Sequence, residues 1–419
     1  MFKNLSSNQK RISKNIVSLF TLQGVNYILP LLTIPYLVRV LGLEYFGLLA
    51  FATAFTMYFM VLTDYGFNLS ATNQIAINKN NIEKVNEIFV SVLTIKFIIA
   101  LFGFLVMITI ISLIPQYQNE LKVFIFTYGM VIGQALIPLW LFQGLEKMKY
   151  MTYFNILAKF LATVSIFVFV QDESDYQLVP ILTSFGFIIA GILSLYWAIK
   201  EFDMKFYIPS KNILLTQLKE GWHVFINNVF VNLYSTTNII ILGLLTNNTV
   251  VGYYSLAEKI IGAISGLFVP ITQAIYPYMS SLYLESKEKF KSIFNKVSIL
   301  FFTTSIFFII IVISFGNEII TLISGNENIL VVNVLSIICI SILTSPLGTF
   351  FTQTFIIKKE TKLFLRVVQF TFLTNMVLVF PMVYFFEVIG LAYTVLLSQI
   401  VHIFFNIKYY RLTLKKEGV

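Results

Sequence analysis

The sequence predicts an all-α polytopic membrane protein, with twelve transmembrane helices in two six-helix lobes around a central cleft. Three observations support this prediction. Hydrophobic residues make up 58% of the 419 residues and charged residues 12%, whereas soluble proteins have about 45–50% and about 25%. The apolar residues form twelve runs, each long enough to cross a bilayer. The lysines and arginines collect on alternate connections between those runs.

The apolar runs set the number of predicted helices. A hydrocarbon core about 30 Å thick needs about 20 residues of helix. Runs of this length, separated by polar breaks, lie at 14–38, 46–66, 88–114, 121–143, 151–170, 177–199, 222–245, 251–275, 293–315, 328–355, 363–385 and 388–410. Alternating them across a membrane leaves only Arg39 and Lys122 on the second side. By the positive-inside rule, both termini are therefore cytoplasmic.

Charge and motif content exclude several classes of protein. The net charge of +9 reflects orientation and contact with anionic lipid headgroups rather than nucleic-acid binding. A single cysteine, Cys339, excludes an internal disulfide, and two histidines argue against a histidine metal site. The first fifteen residues are basic and polar, unlike a signal peptide. Nucleotide-binding and common hydrolase motifs are absent, so we expect neither a cofactor nor ATP-driven pumping by this chain.

The longest cytoplasmic connection predicts the domain organisation. It spans 201–220, carries a short predicted helix on the membrane surface, and separates lobes at 1–200 and 221–419. EYFGLLAFATAF opens the second run and VVGYYSLAEKII opens the eighth, a faint internal repeat. Two lobes running in the same direction imply an axis along the membrane normal, as in many transporters.

The stretch Val250–Pro277, which includes the eighth run, contains the most informative charges. Glu258 and Lys259 lie about eight residues, or about 12 Å, inside a segment that is otherwise long and apolar. One face of this helix is small and polar. Its residues are Ser255, Gly262, Gly266 and Gln273. We expect this face to meet other helices or water inside the membrane, which favours a cleft-lining role for Glu258, Lys259 and Gln273.

Four further charges lie near the ends of predicted spans. Arg39 is near the outer end of the first, Asp64 near the cytoplasmic end of the second, and Lys96 and Lys159 enter the third and fifth from the cytoplasmic side. Two interpretations remain open. These side chains either reach the headgroups or form structural ion pairs, or they line a hydrated cleft.

Amide side chains add a second kind of polar surface. Asn228 and Asn232 share one face of the seventh run, and Asn26 lies in the first. Hydrogen bonds between helices are the simpler explanation for any single amide. Polar faces on three helices together favour a hydrated cleft suited to sugars.

Four stretches resemble one family, the O-antigen and capsule repeat-unit flippases of the Wzx type, within the multidrug/oligosaccharidyl-lipid/polysaccharide exporter superfamily. The stretches are PYLVRVLGLEYFGLLAFA at 35–52, DYGFNLSATNQIA at 64–76, PLWLFQGLEKMKY at 138–150 and VGYYSLAEKIIGAISGLFVPITQAIYP at 251–277. The resemblance implies two six-helix lobes around a cationic cleft. It also implies a substrate of oligosaccharide on a polyprenyl diphosphate, such as undecaprenyl diphosphate, moved to the periplasmic leaflet of the bacterial inner membrane.

The resemblance also implies roles for the residues above. Asp64 and Glu258 match the intramembrane acids of the family and are candidates for ion coupling or gating, and Gln143 closes the fourth span at the cytoplasmic entrance. Cations for the diphosphate would come from Arg39, Lys96, Lys159 and Lys259. Membrane lipids, and the polymerase and chain-length proteins of the same pathway, are the implied partners, with no nucleic acid.

Three alternatives compete with this interpretation. A multidrug cation antiporter of the same superfamily would need an acidic cleft, whereas candidate cations here at least match the acids. A membrane glycosyltransferase or polymerase would need a larger extramembrane loop than the roughly twenty residues available. A scaffold without transport activity would not explain charges inside the spans.

Overall fold

A computed structural model describes the backbone of residues 7–417 and the side chains of 29, 31–147, 150, 153–226, 228–229 and 236–416. Within that part of the chain the regular structure is entirely helical. The α-helices are α1 Ser7–Asp64, α2 Phe67–Ile77, α3 Ile82–Leu113, α4 Leu121–Leu136, α5 Leu139–Gly144, α6 Met148–Phe169, α7 Leu178–Phe202, α8 Lys211–Leu245, α9 Asn248–Gly266, α10 Val269–Glu285, α11 Lys287–Ser314, α12 Gly316–Ser324, α13 Ile329–Ile338, α14 Ser341–Ile357 and α15 Thr361–Glu417.

Eight helical segments of the described chain are long and apolar enough to cross a membrane. They begin with Leu31–Ile77 and end with Thr361–Lys416, and shorter apolar helices lie at Tyr153–Phe169 and Thr236–Leu245. The predicted class, a polytopic helical membrane protein, is therefore confirmed.

The two longest helices each contain one residue with a non-helical backbone. Gly42 in α1 has φ 71°, and Glu387 in α15 has φ 48°. A positive φ suits glycine and is strained for glutamate. After Glu387 the chain turns back closely, since a Cβ at Gly390 would lie 1.9 Å from the Met382 carbonyl oxygen. Each of these helices is thus two helices joined at a sharp break.

Polar residues in the breaks begin several of the helices. Asn81, Asn247, Ser286 and Asn328 are N-caps whose side chains accept hydrogen bonds from backbone N–H groups in the first turn of α3, α9, α11 and α13. Such caps satisfy donors that the helix itself leaves unpaired. The polar breaks in the sequence therefore mark real helix starts.

Contacts divide the chain into two compact units. The N-terminal unit is Val40–Ile240, and the C-terminal unit comprises the described residues of Met1–Arg39 and Ile241–Val419. The break at Gly42 falls beside the first boundary. These bounds differ from the predicted six-helix lobes at 1–200 and 221–419, which stay a prediction.

Small residues bring helices together in the N-terminal unit. A Cβ at Gly133 on α4 would lie 2.5 Å from the Phe187 carbonyl carbon, and one at Gly191 on α7 would lie 2.6 Å from the Gly133 carbonyl oxygen. Glycine is thus needed where these backbones meet, as in many membrane helix pairs. Phe51, Tyr117 and Phe124 pack nearby as a buried aromatic cluster.

Aromatic residues also fill the C-terminal unit, where α11, α14 and α15 meet. Phe294 stacks on Phe350 at 5.0 Å and on Tyr410 at 4.2 Å between ring centroids. Offset stacking of this kind adds to the gain from burying apolar area. The core of this unit therefore joins three helices from distant parts of the sequence.

Two local predictions were wrong. The predicted surface helix in 201–220 is not separate, because residues from Lys211 onward are the first turns of α8, with no proline to end it. The eighth run is not one helix either. It is α9 and α10, which part at Leu267 and Phe268, just before Pro270.

Candidate functional site

The D-Y-G turn at residues 64–66 positions a buried ion pair of the N-terminal unit. Asp64 ends α1, and Tyr65 and Gly66 take positive φ values of 46° and 75° before α2 begins. A Cβ at Gly66 would lie 2.8 Å from the Phe225 backbone nitrogen. The turn therefore needs glycine for both its backbone angle and the close approach of α8.

Lys96 on α3 is the partner of Asp64. Its Nζ lies 3.6 Å from Asp64 Oδ1, and the residue is only 1% exposed. A buried ammonium without a counter-ion would cost several kcal/mol or lose its proton. The Asp64 carboxylate, whose side chain is 21% exposed, thus balances a charge that the protein encloses almost completely.

Trp140 on α5 is the second partner of Lys96. The lysine Nζ lies 4.6 Å from the centroid of the indole ring, and Trp140 is fully buried. The face of an indole attracts a cation, most strongly where water is excluded. Asp64 and Trp140 together hold the ammonium, so Lys96 cannot contact a substrate unless one of them moves.

Polar groups of α2 and α5 extend the site. Thr72 Oγ1 lies 3.3 Å from Gln143 Oε1 and 3.4 Å from the Trp140 carbonyl oxygen, while its own hydrogen bond to the Asn68 carbonyl is 2.8 Å. A Cβ at Gly144 would lie 2.6 Å from Ile75 Cγ2. This close packing of α2 on α5 places Gln143 against Thr72.

Helix α8 meets the same turn within the N-terminal unit. Tyr65 stacks on Phe225 with ring centroids 4.6 Å apart, and the Gln74 and Gln217 amides exchange hydrogen bonds of 3.1 and 3.0 Å. A pair of reciprocal amide bonds fixes the register of two helices. A movement of α8 would therefore be transmitted to the residue that follows Asp64.

The structure thus brings together two of the predicted site residues, Asp64 and Lys96, while Gln143 contacts Thr72. Lys159 and Asn228 also belong to the N-terminal unit, where both side chains are half-buried. Asn26 and Asn232 lie outside the residues whose side chains are described. The roles predicted for these residues stay predictions.

The remaining predicted residues belong to the C-terminal unit. Glu258 is half-buried on α9, while Lys259 on α9 and Gln273 on α10 are exposed. Gly262 shares this exposed face, and no atom lies within 4 Å of the place where its Cβ would be. The polar face predicted from the helical period is therefore open at Lys259, Gly262 and Gln273.

Arg39 has a different setting from the other predicted cations. Its guanidinium donates to the Leu322 carbonyl oxygen and, at 3.2 Å, to that of Ile323. These carbonyls belong to the last turn of α12, where a cation also meets the negative end of the helix dipole. Arg39 thus caps a helix in this structure.

Sequence analysis did not single out Trp140, Thr72 or Tyr65, because aromatic and hydroxyl side chains are common along the chain. One signal was available, since Trp140 lies in the PLWLFQGLEKMKY stretch, two residues after Pro138. A proline there ends α4 and starts α5, which turns the indole toward the core.

Comparison with known proteins decides the family. Residues 12–283 match the family model described as polysaccharide biosynthesis protein. Over 399 residues the chain is 33% identical to an Escherichia coli K12 protein named "Putative O-antigen transporter", with 94% of this chain and 95% of that protein covered. The chain belongs to the polysaccharide biosynthesis protein family. A Shigella dysenteriae protein of this family with the same name is 28% identical over 402 residues, covering 95% and 99%.

Solved structures show that this family member has a known transporter fold. A structure of "Lipid II flippase MurJ, inward closed conformation" aligns with TM-score 0.77 at 13% identity, covering 94% of this chain and 87% of that one. An inward-facing multidrug resistance MATE family transporter of the MOP superfamily aligns with TM-score 0.72 at 15% identity, covering 93% and 96%. Identities this low establish the fold alone. The predicted family resemblance is confirmed.

Proposed function

We propose that this membrane protein is a flippase that moves a polyprenyl-diphosphate-linked oligosaccharide repeat unit from the cytoplasmic to the periplasmic leaflet of the bacterial inner membrane. The observation that carries the proposal is the 33% identity, over nearly the full length, to a relative named as an O-antigen transporter. The fold shared with a lipid II flippase also supports it.

The proposed architecture has twelve crossings in two six-helix lobes around a central cleft, with both termini cytoplasmic. The breaks at Gly42 and Glu387 support this count, because each divides one long helix into two segments long enough to cross a bilayer. The lysine-rich connections on one side support the orientation. Alternating access by rocking of the lobes would carry the head group across.

The substrate combines two kinds of chemistry. Its diphosphate needs cations and its sugars need hydrogen-bonding groups, while the polyprenyl tail can remain in lipid. The exposed face of α9 and α10 offers Lys259 and Gln273, with Glu258 beside them. Lys159 and Asn228 are proposed to do the same in the N-terminal unit. Charge-assisted hydrogen bonds from lysine suit a phosphate group.

The Asp64–Lys96 pair is proposed to act as a gate rather than as a direct substrate contact. Lys96 is almost completely buried, so a diphosphate cannot reach its ammonium in this arrangement. If Asp64 takes up an ion or a proton, its charge no longer balances Lys96, and the pair becomes unstable. The turn at Tyr65 and Gly66 would then carry that change to α8.

A reconstituted assay tests this function. Purified protein in liposomes receives a polyprenyl diphosphate bearing a fluorescently labelled oligosaccharide, and a membrane-impermeant quencher reports which leaflet holds the label. We expect label to move between leaflets only in vesicles that contain the protein. Vesicles that do not move the label, but do exchange an organic cation for protons, would instead support the multidrug antiporter.

The MATE-like fold is the observation that favours that second candidate. A membrane glycosyltransferase or polymerase would instead change the chemical structure of the labelled lipid. Thin-layer chromatography of the recovered lipid separates this third outcome from transport. Contacts with the polymerase and chain-length proteins of the same pathway are proposed as well.

A further inference from the structure

A half-buried histidine in α15 lies outside the site described above. His402 is on the second part of α15, and its Nδ1 lies 3.2 Å from Thr371 Oγ1 on the first part. Thr371 is 3% exposed. The two parts of α15 run back along each other after the break at Glu387, so this contact joins them in the interior of the C-terminal unit.

The hydrogen bonds of Thr371 favour one tautomer of His402. A threonine hydroxyl has one hydrogen, and Thr371 donates it to the Val367 carbonyl oxygen at 2.8 Å. If Thr371 keeps that bond, its oxygen accepts from His402 and the ring carries its proton on Nδ1. In the neutral ring Nε2 is therefore the basic nitrogen.

Nε2 lies against the backbone of α14. A Cβ placed on Gly348 would be only 2.5 Å from Nε2 and 3.1 Å from Cδ2. Glycine at this position leaves room for the imidazole edge. Among the described residues, none donates a hydrogen bond to Nε2. The basic nitrogen is thus held in place through Nδ1 while its lone pair stays available.

Other buried polar groups lie one helical turn from this ring or from its partner. Ser398 and Asn406 are four residues before and after His402, and Asn375 is four residues after Thr371. All three are 0% exposed. Asn375 Nδ2 and Oδ1, Ser398 Oγ and Asn406 Oδ1 have no protein partner among the described residues. Ordered water satisfies groups of this kind in protein interiors.

His402 is the ionisable residue among these polar side chains, and the charged groups of neighbouring helices are separate from it. Helix α14 has none, and Lys358, its C-cap, is ten residues or about 15 Å beyond Gly348. On α15 the charged residues nearest to His402 in sequence are Arg366 and Lys408, and both are exposed. Helix α13 has no charged residue. The ionisable residues of α9 are Glu258, Lys259, Tyr253 and Tyr254. None of these side chains forms an ion pair or a hydrogen bond with His402, whose side-chain partner among the described residues is Thr371.

We propose that His402 is a proton-binding site of the C-terminal unit, reached through water held by Asn375 and Ser398. A hydronium ion would give its proton to Nε2 and leave a water molecule, so the ring gains one positive charge and Nδ1–H still donates to Thr371. A charge gained here changes the relative stability of packed and opened arrangements of α14 and α15. The inference rests on the proposed transport function for its consequence, the coupling of transport to a proton gradient.

Nitrogen NMR tests the site without a transport assay. The chain has only two histidines, and His223 is exposed, so nitrogen-labelled histidine in full-length protein in lipid nanodiscs gives two ring systems. In the His223→Gln variant, His402 is the one remaining histidine. We expect protonated Nδ1 and bare Nε2 at about pH 8, with a second proton appearing on Nε2 as the pH is lowered. A ring protonated on Nε2 at high pH, or one that keeps a single proton throughout, would overturn the proposal.

Transport then tests the consequence. In liposomes with an imposed pH difference, we expect His402→Gln to reduce the response of the initial rate to that difference at least about fivefold, the low end of typical coupling between sites. His223→Gln, the matched control, should respond like wild type. Equal responses of His402→Gln and wild type would contradict the inference alone, whereas an absence of transport by wild type would contradict the proposed function.

Discussion

Tyr65 stacks on Phe225 with ring centroids 4.6 Å apart and the ring planes nearly parallel. This contact joins the residue after Asp64 to α8, the helix that begins in the connection at 201–220. The buried Asp64–Lys96 pair and α8 are thus coupled within the N-terminal unit through the contact of Tyr65 with Phe225.

The buried pair predicts an asymmetric effect on stability. Asp64→Asn leaves the Lys96 ammonium enclosed without a counter-ion, and we expect it to lower the free energy of unfolding by about 3 kcal/mol. Asp64→Asn combined with Lys96→Met should lose less than the sum of the single losses, because the double variant has no unpaired charge. Denaturant unfolding of the purified protein measures both.

The exposed pair Lys79–Glu146 is the matched control. Its side chains are 53% and 79% exposed, with Nζ and Oε1 3.5 Å apart. Lys79→Met should cost at most about 0.5 kcal/mol, since water screens such pairs. Equal losses for Lys79→Met and Asp64→Asn would show that burial of Lys96 contributes nothing.

Trp140 predicts a graded series. Trp140→Phe retains an aromatic face over Lys96, whereas Trp140→Leu removes it, so we expect the leucine variant to be less stable by about 1 kcal/mol. Thermal unfolding in one detergent compares the two. To remove the effect of side-chain volume, the series is repeated with Lys96→Met, where the difference between phenylalanine and leucine should shrink.

Three glycines separate backbone strain from steric contact. Gly66 has φ 75° and lacks room for a Cβ, Gly42 has φ 71° with open space around it, and Gly262 is helical with open space. We expect Gly66→Ala to prevent folding or to cost more than about 3 kcal/mol. Gly42→Ala should cost about 1–2 kcal/mol, and Gly262→Ala should be neutral or stabilising by up to about 1 kcal/mol. Any other rank order of melting temperatures would refute this reading of the backbone.

The exposed face of α9 predicts a specific loss of transport. Lys259→Gln removes a cation offered to the diphosphate, and we expect the initial rate in liposomes to fall about tenfold, the value of one hydrogen bond to a charged group. Lys287→Gln, at the start of α11, removes an equally exposed lysine and should keep the wild-type rate. A tenfold loss in both variants would mean that net charge, rather than Lys259, is responsible.

Hydrophobic length predicted much of the fold. The run at 177–199 corresponds to α7, Leu178–Phe202, and the run at 88–114 lies within α3, Ile82–Leu113, to within one residue. Apolar length and polar breaks suffice here because each helix must satisfy its own backbone in lipid. The break between α9 and α10 escaped prediction, since membrane helices tolerate glycine and proline and mean hydropathy does not register them.

The candidate site was predicted only in part. The charges of Asp64 and Lys96 stand out in apolar runs, which is why both were named from the sequence. Their pairing depends on the turn at Gly66 and on how α3 packs, and one sequence contains no direct record of that distance. The indole over Lys96 was missed for the same reason. The chain has 43 Phe and 3 Trp in addition to 22 Tyr, and nothing local distinguishes Trp140 from the other aromatic residues.

The most direct measurement of the central claim is the leaflet position of lipid-linked repeat units in cells from which this protein has been removed. A membrane-impermeant glycosidase applied to right-side-out vesicles digests only units on the periplasmic face. The account predicts that intact repeat units accumulate and resist digestion until the protein is restored. Repeat units that are digested equally with and without the protein would contradict it.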